Sequence, residues 1–260
     1  MICREIIDIL QGQSPEKYAC SWDNVGLLVG SFEKEVKTIY IALDATDETI
    51  QEAAETEADL LLTHHPLIFQ RLKKVNSKDF TGRRVMALIQ NNIACYAMHT
   101  NFDVKGMADL GAERLGLQDC QILEVTCWQE QEPSGIGKVG ELPCEMTVAD
   151  CAGKVKEVFG VELVKIYGRP DQKITRAAFC PGSGKSVIGK AIETKAQVLI
   201  TGDIDHHEGI DAAAQGLAII DAGHYGVEKM FIPYMKEYLE SHTTGIRVIA
   251  QQEKQPFVYQ

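Results

Sequence analysis

The chain has 260 residues, 45% of them hydrophobic and 24% charged, with a formal net charge of −11. A chain of this size buries a substantial core as one large α/β unit or as two lobes, and its acidity argues against duplex nucleic acid as a partner, because phosphate contacts need a basic face. No apolar run approaches a membrane span, no signal-peptide pattern opens the chain, and the eight cysteines, without a C-x-x-C pair, read as reduced thiols of a cytoplasmic protein.

Ile6, Ile7, Ile9 and Leu10 mark a short amphipathic helix within residues 3–11. Residues 21–30 read as a polar loop entering a strand, with Trp22 expected as a core or lobe-interface aromatic. A strand over 38–43 ends at Asp44, and Thr46 is placed to cap a helix carrying Ile50, Ala53 and Ala54. The run Leu60-Leu61-Leu62-Thr63 is a buried strand that stops at His64-His65, and Pro66 keeps it from continuing. Neighbouring histidines on extended backbone point to opposite sides, which suits two metal ions better than one. The next segment is basic, with Arg71, Lys73, Lys74, Lys78, Arg83 and Arg84 facing only Asp79. It reads as a solvated helix and loop surface, with room for steering an anionic ligand toward the histidines.

A helix over 80–92 and a strand over 93–98 lead to His99-Thr100-Asn101-Phe102-Asp103, a second strand end with a histidine and a carboxylate. A helix over 106–116 completes a first lobe, residues 1–124. From 125 to 145 the glycines and Pro133 suggest a loop or hairpin, and the second lobe is taken as residues 125–260. There, Thr147 caps a helix ending near Gly160, and a strand over 162–167 follows. A strand over 177–180 opens into Pro181-Gly182-Ser183-Gly184-Lys185-Ser186. This is no P-loop, because Phe179 stands where the first glycine is required; it is a tight turn or a turn presenting N–H groups to an anion. Strand 197–201 ends at Gly202-Asp203, ahead of His206-His207-Glu208, and strand 217–220 ends at Asp221-Ala222-Gly223-His224. A helix over 226–241 and a strand over 246–250 close the chain. Residues 58–63 align with 196–201 at an offset of 138, and the strands of one lobe have counterparts in the other.

His224 and Glu228 are four residues apart at a helix start, so they stack on one face. With His64, His65 and Asp103 they make a mixed imidazole and carboxylate set suited to zinc, manganese, iron or cobalt, and not calcium. Five ligands serve two ions if one carboxylate bridges, and the positive balance of such a site attracts hydroxide or phosphate.

The stretches Trp22-Asp23-Asn24-Val25-Gly26-Leu27, Thr63-His64-His65-Pro66, His99-Thr100-Asn101-Phe102-Asp103, Thr201-Gly202-Asp203 and Asp221-Ala222-Gly223-His224-Tyr225-Gly226-Val227-Glu228, in that order, resemble the GTP cyclohydrolase I type 2 homologues, also called Nif-three-like dinuclear metal centre proteins. The resemblance implies two related α/β lobes facing each other with a dinuclear metal site in the cleft between them. It implies two divalent transition-metal ions per chain (zinc, iron or manganese), held by His64, His65, Asp103, His224 and Glu228 with Glu228 bridging, and a ring-shaped homohexamer. Phe102 departs from an expected leucine, and the short 125–145 region has no room for the inserted domain of some members. The expected activity is metal-assisted hydrolysis of a nucleotide-like or phosphorylated small anion, with His99, His206 and His207 as candidate general acids or bases. The alternative is a non-enzymatic metal-holding or partner-binding ring.

Overall fold

Leu60, Leu61 and Leu62 are buried without remainder, as parallel strands covered on both faces require. The computed structural model describes every residue except Tyr259. The chain divides into two compact units, one of Met1–Phe102 with Phe231–Lys254 and one of Asp103–Met230 with Gln255–Gln260. This differs from the division expected at residue 124, because the chain changes unit inside a helical segment and later returns.

In chain order the first unit has α1 (Cys3–Gln13), β1 (Gly26–Val29), β2 (Thr38–Ala42), α2 (Asp47–Glu55), β3 (Leu60–Thr63), α3 (Phe80–Gln90), β4 (Ala94–Ala97) and a single turn, α4 (Thr100–Phe102). The second begins with a π-helical turn (Asp103–Met107), then α5 (Ala108–Leu115), β5 (Gln118–Gln129), β6 (Glu132–Thr147), α6 (Val148–Phe159), β7 (Lys165–Tyr167) and β8 (Lys173–Ser183). A 3-10 turn (Gly184–Val187), α7 (Ile188–Glu193), β9 (Val198–Gly202), α8 (His206–Ala214), β10 (Ala218–Asp221) and α9 (His224–Glu228) follow. Then α10 (Phe231–His242) and β11 (Arg247–Ala250) belong to the first unit again.

The first sheet is ordered β1-β4-β3-β2-β11, parallel except for β1, and the second β5-β6-β8-β9-β10-β7, parallel through β8, β9 and β10. The repeat read from residues 58–63 and 196–201 extends through a four-stranded substructure of each unit. β1-β4-β3-β2 corresponds to β7-β10-β9-β8, each with one antiparallel strand beside three parallel ones. The correspondence reaches single hydrogen bonds. Asp59 Oδ2 accepts from the N–H groups of Lys37 and Thr38 at 2.7 and 3.1 Å; Gln197 Oε1 accepts from those of Thr175 and Arg176 at 2.7 and 3.1 Å. Thr56 and Thr194 each turn their hydroxyl back onto the last helical carbonyls. Gly30 and Gly168 leave the antiparallel strands at φ 116° and 104°, where a Cβ would press on Ala94 and Ala218. Among the described residues, no helix is long and apolar enough to cross a membrane.

Several expectations change in form. Of the loop or hairpin expected over 125–145, the structure has the hairpin, part of a longer one in which β5 and β6 pair antiparallel across the turn at Glu130-Gln131. The helix expected over 226–241 is two helices, because Pro233 lacks an N–H and its ring excludes the carbonyl of Lys229 from a continuous helix. The last strand, β11, pairs with β2 of the first unit. The expected caps are present: Thr46 accepts from Thr49, and Thr147 forms a capping box with Asp150.

In the second core, Phe179 stacks on Phe159 with ring centroids 5.6 Å apart. A Cβ at Gly111 would lie 1.9 Å from Phe179 Cε1. Gly111→Ala should therefore destabilise the fold by about 1–3 kcal/mol, read as a lower denaturant midpoint; an unchanged midpoint would contradict the packing described.

Candidate metal centre

The first unit supplies three histidines from one end of its sheet. β2, β3 and β4 are in register at Ala42, Thr63 and Ala97, so the residues just beyond them emerge together. His64, fully buried, has Nδ1 2.7 Å from the Met98 carbonyl oxygen. His65 Nδ1 lies 2.8 Å from Asp44 Oδ1, and His99 Nδ1 lies 2.9 Å from Asp23 Oδ1. A carbonyl or an ionised carboxylate only accepts, so in the neutral rings Nδ1 carries the proton and Nε2 the lone pair. That is the arrangement by which metal-binding histidines are held. The three rings each offer a ligand atom within 4.8 Å of the others. Phe102, in place of the expected leucine, packs edge-on against Phe231 at 5.0 Å and beside His64 at 6.3 Å.

Asp23 anchors this set from below. Its side chain has no exposed surface, and it accepts from the Thr100 N–H at 3.0 Å and the Thr100 hydroxyl at 2.5 Å. Burial pushes its pKa up, but the bond and charge of His99 with the Thr100 donors outweigh this and hold it at about 2. Trp22 is not a core residue: it is 59% exposed, with its ring 6.0 Å from Phe69 and 6.1 Å from His99.

The second unit supplies a second set. Asp103 opens the π-helical turn, a distortion often found at functional sites. One of its carboxylate oxygens lies within 4.8 Å of one from Glu228. His224 and Glu228 stand on α9 as expected, with Nε2 3.1 Å from Oε2, and His224 Nδ1 lies 3.1 Å from Asp203 Oδ2. With its Nδ1 proton on Asp203, a neutral His224 turns a lone pair toward a carboxylate oxygen, which is favourable only with a cation or another proton between them. Gly182, at φ 61°, keeps this spot open, since a Cβ there would sit 2.6 Å from Glu228 Oε1. The buried Cys180 thiol has its pKa raised by burial and then by the negative charges of Asp103 and Glu228.

Asp203 is itself held. Asp221, almost fully buried, accepts from the N–H groups of Asp203, Ile204 and Gly223 at 3.2, 3.1 and 2.9 Å and from Lys165 Nζ at 2.6 Å. Burial lowers the Lys165 pKa, but Asp221 outweighs it and leaves the ammonium above its ordinary value. His206 and His207 lie exposed at the start of α8, with rings 5.2 Å apart, and belong to none of the ligand clusters among the described residues. Sequence reasoning missed the orienting role of Asp23, Asp44 and Asp203. A signal was present, since Asp44 and Asp203 each directly follow an apolar strand.

Two related α/β units, with imidazole and carboxylate groups clustered at strand ends, carry groups of side chains of the kind that could hold a metal ion. A family model described as Duf34/NIF3 (NGG1p interacting factor 3) matches residues 1–256, and the chain belongs to that family. A Clostridium perfringens protein named GTP cyclohydrolase 1 type 2 homolog is 36% identical over the whole of both chains, and one of the same name from Clostridium acetobutylicum is 34% identical over 98% of each. Among solved structures, a Bacillus cereus protein related to NIF3 superposes with a TM-score of 0.90 at 26% identity, covering 100% of this chain and 99% of the other. Reduced HcgD from Methanocaldococcus jannaschii does so at 0.82 with 29% identity, over 96% and 97% of the chains.

The depressed pKa of Asp23 has a sign that can be measured. A carboxyl whose folded pKa lies below its unfolded value stabilises the fold above the unfolded pKa, and loses that effect as pH falls through the folded one. Relative to Asp23→Asn, the wild type should be more stable by about 2 kcal/mol near neutral pH, with the gap closing between roughly pH 4 and pH 2. Urea titrations across that range check it; a gap independent of pH would contradict the assignment.

Proposed function

We propose that this protein is a metal-dependent hydrolase of nucleotide-like or phosphorylated small molecules. In this reading His64 and His65 of the first unit, with Asp103, His224 and Glu228 of the second, hold two divalent transition-metal ions (zinc, iron or manganese), with Glu228 bridging. The observation that carries it is that His64, His65 and His224 each have Nδ1 against a carbonyl or carboxylate oxygen, which turns Nε2 outward as a donor. Bound to such ligands, divalent ions supply Lewis acidity that polarises a substrate oxygen and makes water a nucleophile near neutral pH.

The other steps fall to the chain. Asp23 fixes the His99 ring with Nε2 as its proton acceptor, and there His99 takes up a proton and returns it to the leaving group. His99 is preferred for this over His206 and His207, because its ring lies 5.3 Å from that of His64 and 5.5 Å from that of His65. The exposed rings of Trp22 and Phe69 beside it offer faces to a planar group. The name carried by the relatives makes GTP the first nucleotide to test. The eight cysteines are all thiols, which fits a reducing compartment.

Glu228→Gln keeps the side chain's size and removes its charge, so both ions should be lost together while the fold survives. Elemental analysis with circular dichroism is the check; retention of two ions, or loss of only one, defeats the bridging role. Phosphoesters, nucleotides and cyclic amidines, screened with and without zinc, manganese or iron, test the hydrolase itself, and two tightly held ions without turnover would favour a metal-holding role.

A homohexamer is also proposed. The long edge strand β5 exposes Val125 and Trp128, apolar surface that a second copy would cover. Light scattering should give a mass well above that of one 28.7 kDa chain; a stable monomer at micromolar concentration would rule this out.

A further inference from the structure

The two units differ most at one place in their shared plan. Matched residues are offset by 138 at Thr63 and Thr201 but by 124 at Ala94 and Ala218, so the first unit makes the same strand-to-helix connection with 14 more residues. Residues 66–81 stand where the second unit has only residues 204–205. The fold does not require this length, since α8 and β10 are reached without it.

The added segment is built, not loose. Leu67, Ile68 and Leu72 pack on the first core, Asn24 donates its side-chain amide to the Ile68 carbonyl, and Gly82 lets the Asn76 backbone approach to where a Cβ would sit. It walls a pocket of about 910 Å³ that reaches His65. Arg71, Lys73, Lys74 and Arg84 line that pocket, with Phe69 and Phe80 half-exposed beside them. Its two carboxylates are committed elsewhere, Asp44 to His65 and Asp79 to the N–H groups of Thr81 and Gly82 at the start of α3. Arg84 pairs with Asp47 and lies over the Phe80 ring, while Arg71, Lys73 and Lys74 enter no ion pair among the described residues. A protein of net charge −11 thus gathers unmatched cations in one walled pocket next to a candidate ligand.

We infer that this pocket binds the phosphate groups of a phosphorylated small molecule. Arg71, Lys73 and Lys74 contact the phosphate oxygens, Arg84 supports them, and Phe69 and Phe80 flank the organic part. Presentation of the scissile group beside His65 rests on the hydrolase reading above; the binding of phosphate does not.

The experiment uses the full chain freed of metal with a chelator, with inorganic pyrophosphate as probe and calorimetry as readout. The wild type should bind pyrophosphate, and the triple variant Arg71→Gln, Lys73→Gln, Lys74→Gln should bind at least about tenfold more weakly, with a shallower salt dependence. Lys185→Gln, an exposed cation of the second unit, should bind as the wild type does. Absence of binding to the metal-free wild type, or equal affinity in the triple variant with its circular dichroism unchanged, overturns the inference. Metal uptake is measured on the same preparations. A wild type that takes up no metal yet loses pyrophosphate through the triple substitution would remove the hydrolase reading and leave the pocket standing.

Discussion

The arrangement depends on the register of three parallel strands in each unit. A side-chain acceptor at the start of the central strand, Asp59 in one unit and Gln197 in the other, gathers two successive N–H groups at the start of the neighbouring strand. These bonds tie the start of each central strand to the start of its neighbour, and so discourage a slip of the strands. A slip by one residue would turn every side chain to the opposite face. With starts aligned, ends align too, and the residues that leave the sheet at Asp44, His64, His65 and His99 emerge at a common edge.

The electrostatics at the strand ends of the two units follow one rule with different partners. Each ring is turned by an oxygen acceptor at Nδ1: a backbone carbonyl for His64 and carboxylates for His65, His99 and His224. Each such acceptor fixes both the tautomer and the orientation of its ring. The anchors are fixed in turn, Asp23 by Thr100 and Asp203 through the backbone bonds that Asp221 accepts. Orientation is thus set two residues deep, in a part of the molecule where a chain without such supports would let imidazoles rotate.

Much of this was legible in the sequence because it rests on local pattern. The strand ending at His64-His65 was readable from an apolar run and a proline, the helix caps from threonines at the right offset, and the repeat from residues 58–63 and 196–201. What escaped depends on distant partners. Nothing in Arg247-Val248-Ile249-Ala250 says that it lies against β2, two hundred residues away in sequence. The change of offset within the repeat is invisible until α3 and α8 are both placed. Trp22 read as a core or lobe-interface aromatic because large aromatics are usually covered; that it is no core residue, exposed beside Phe69 and His99, is decided by tertiary contacts.

The return of β11 to the first sheet has a consequence for the order in which the protein can be made. The second unit's residues Asp103–Met230 lie wholly inside the first in the chain, whose remaining helix and edge strand are Phe231–Lys254. A ribosome working from the N-terminus delivers every strand of the second sheet before β11 exists, and domains gather as units while the chain is still growing. The sheet that is begun first is therefore the one completed last, and until then the exposed side of β2 must wait on the nascent chain without its neighbour.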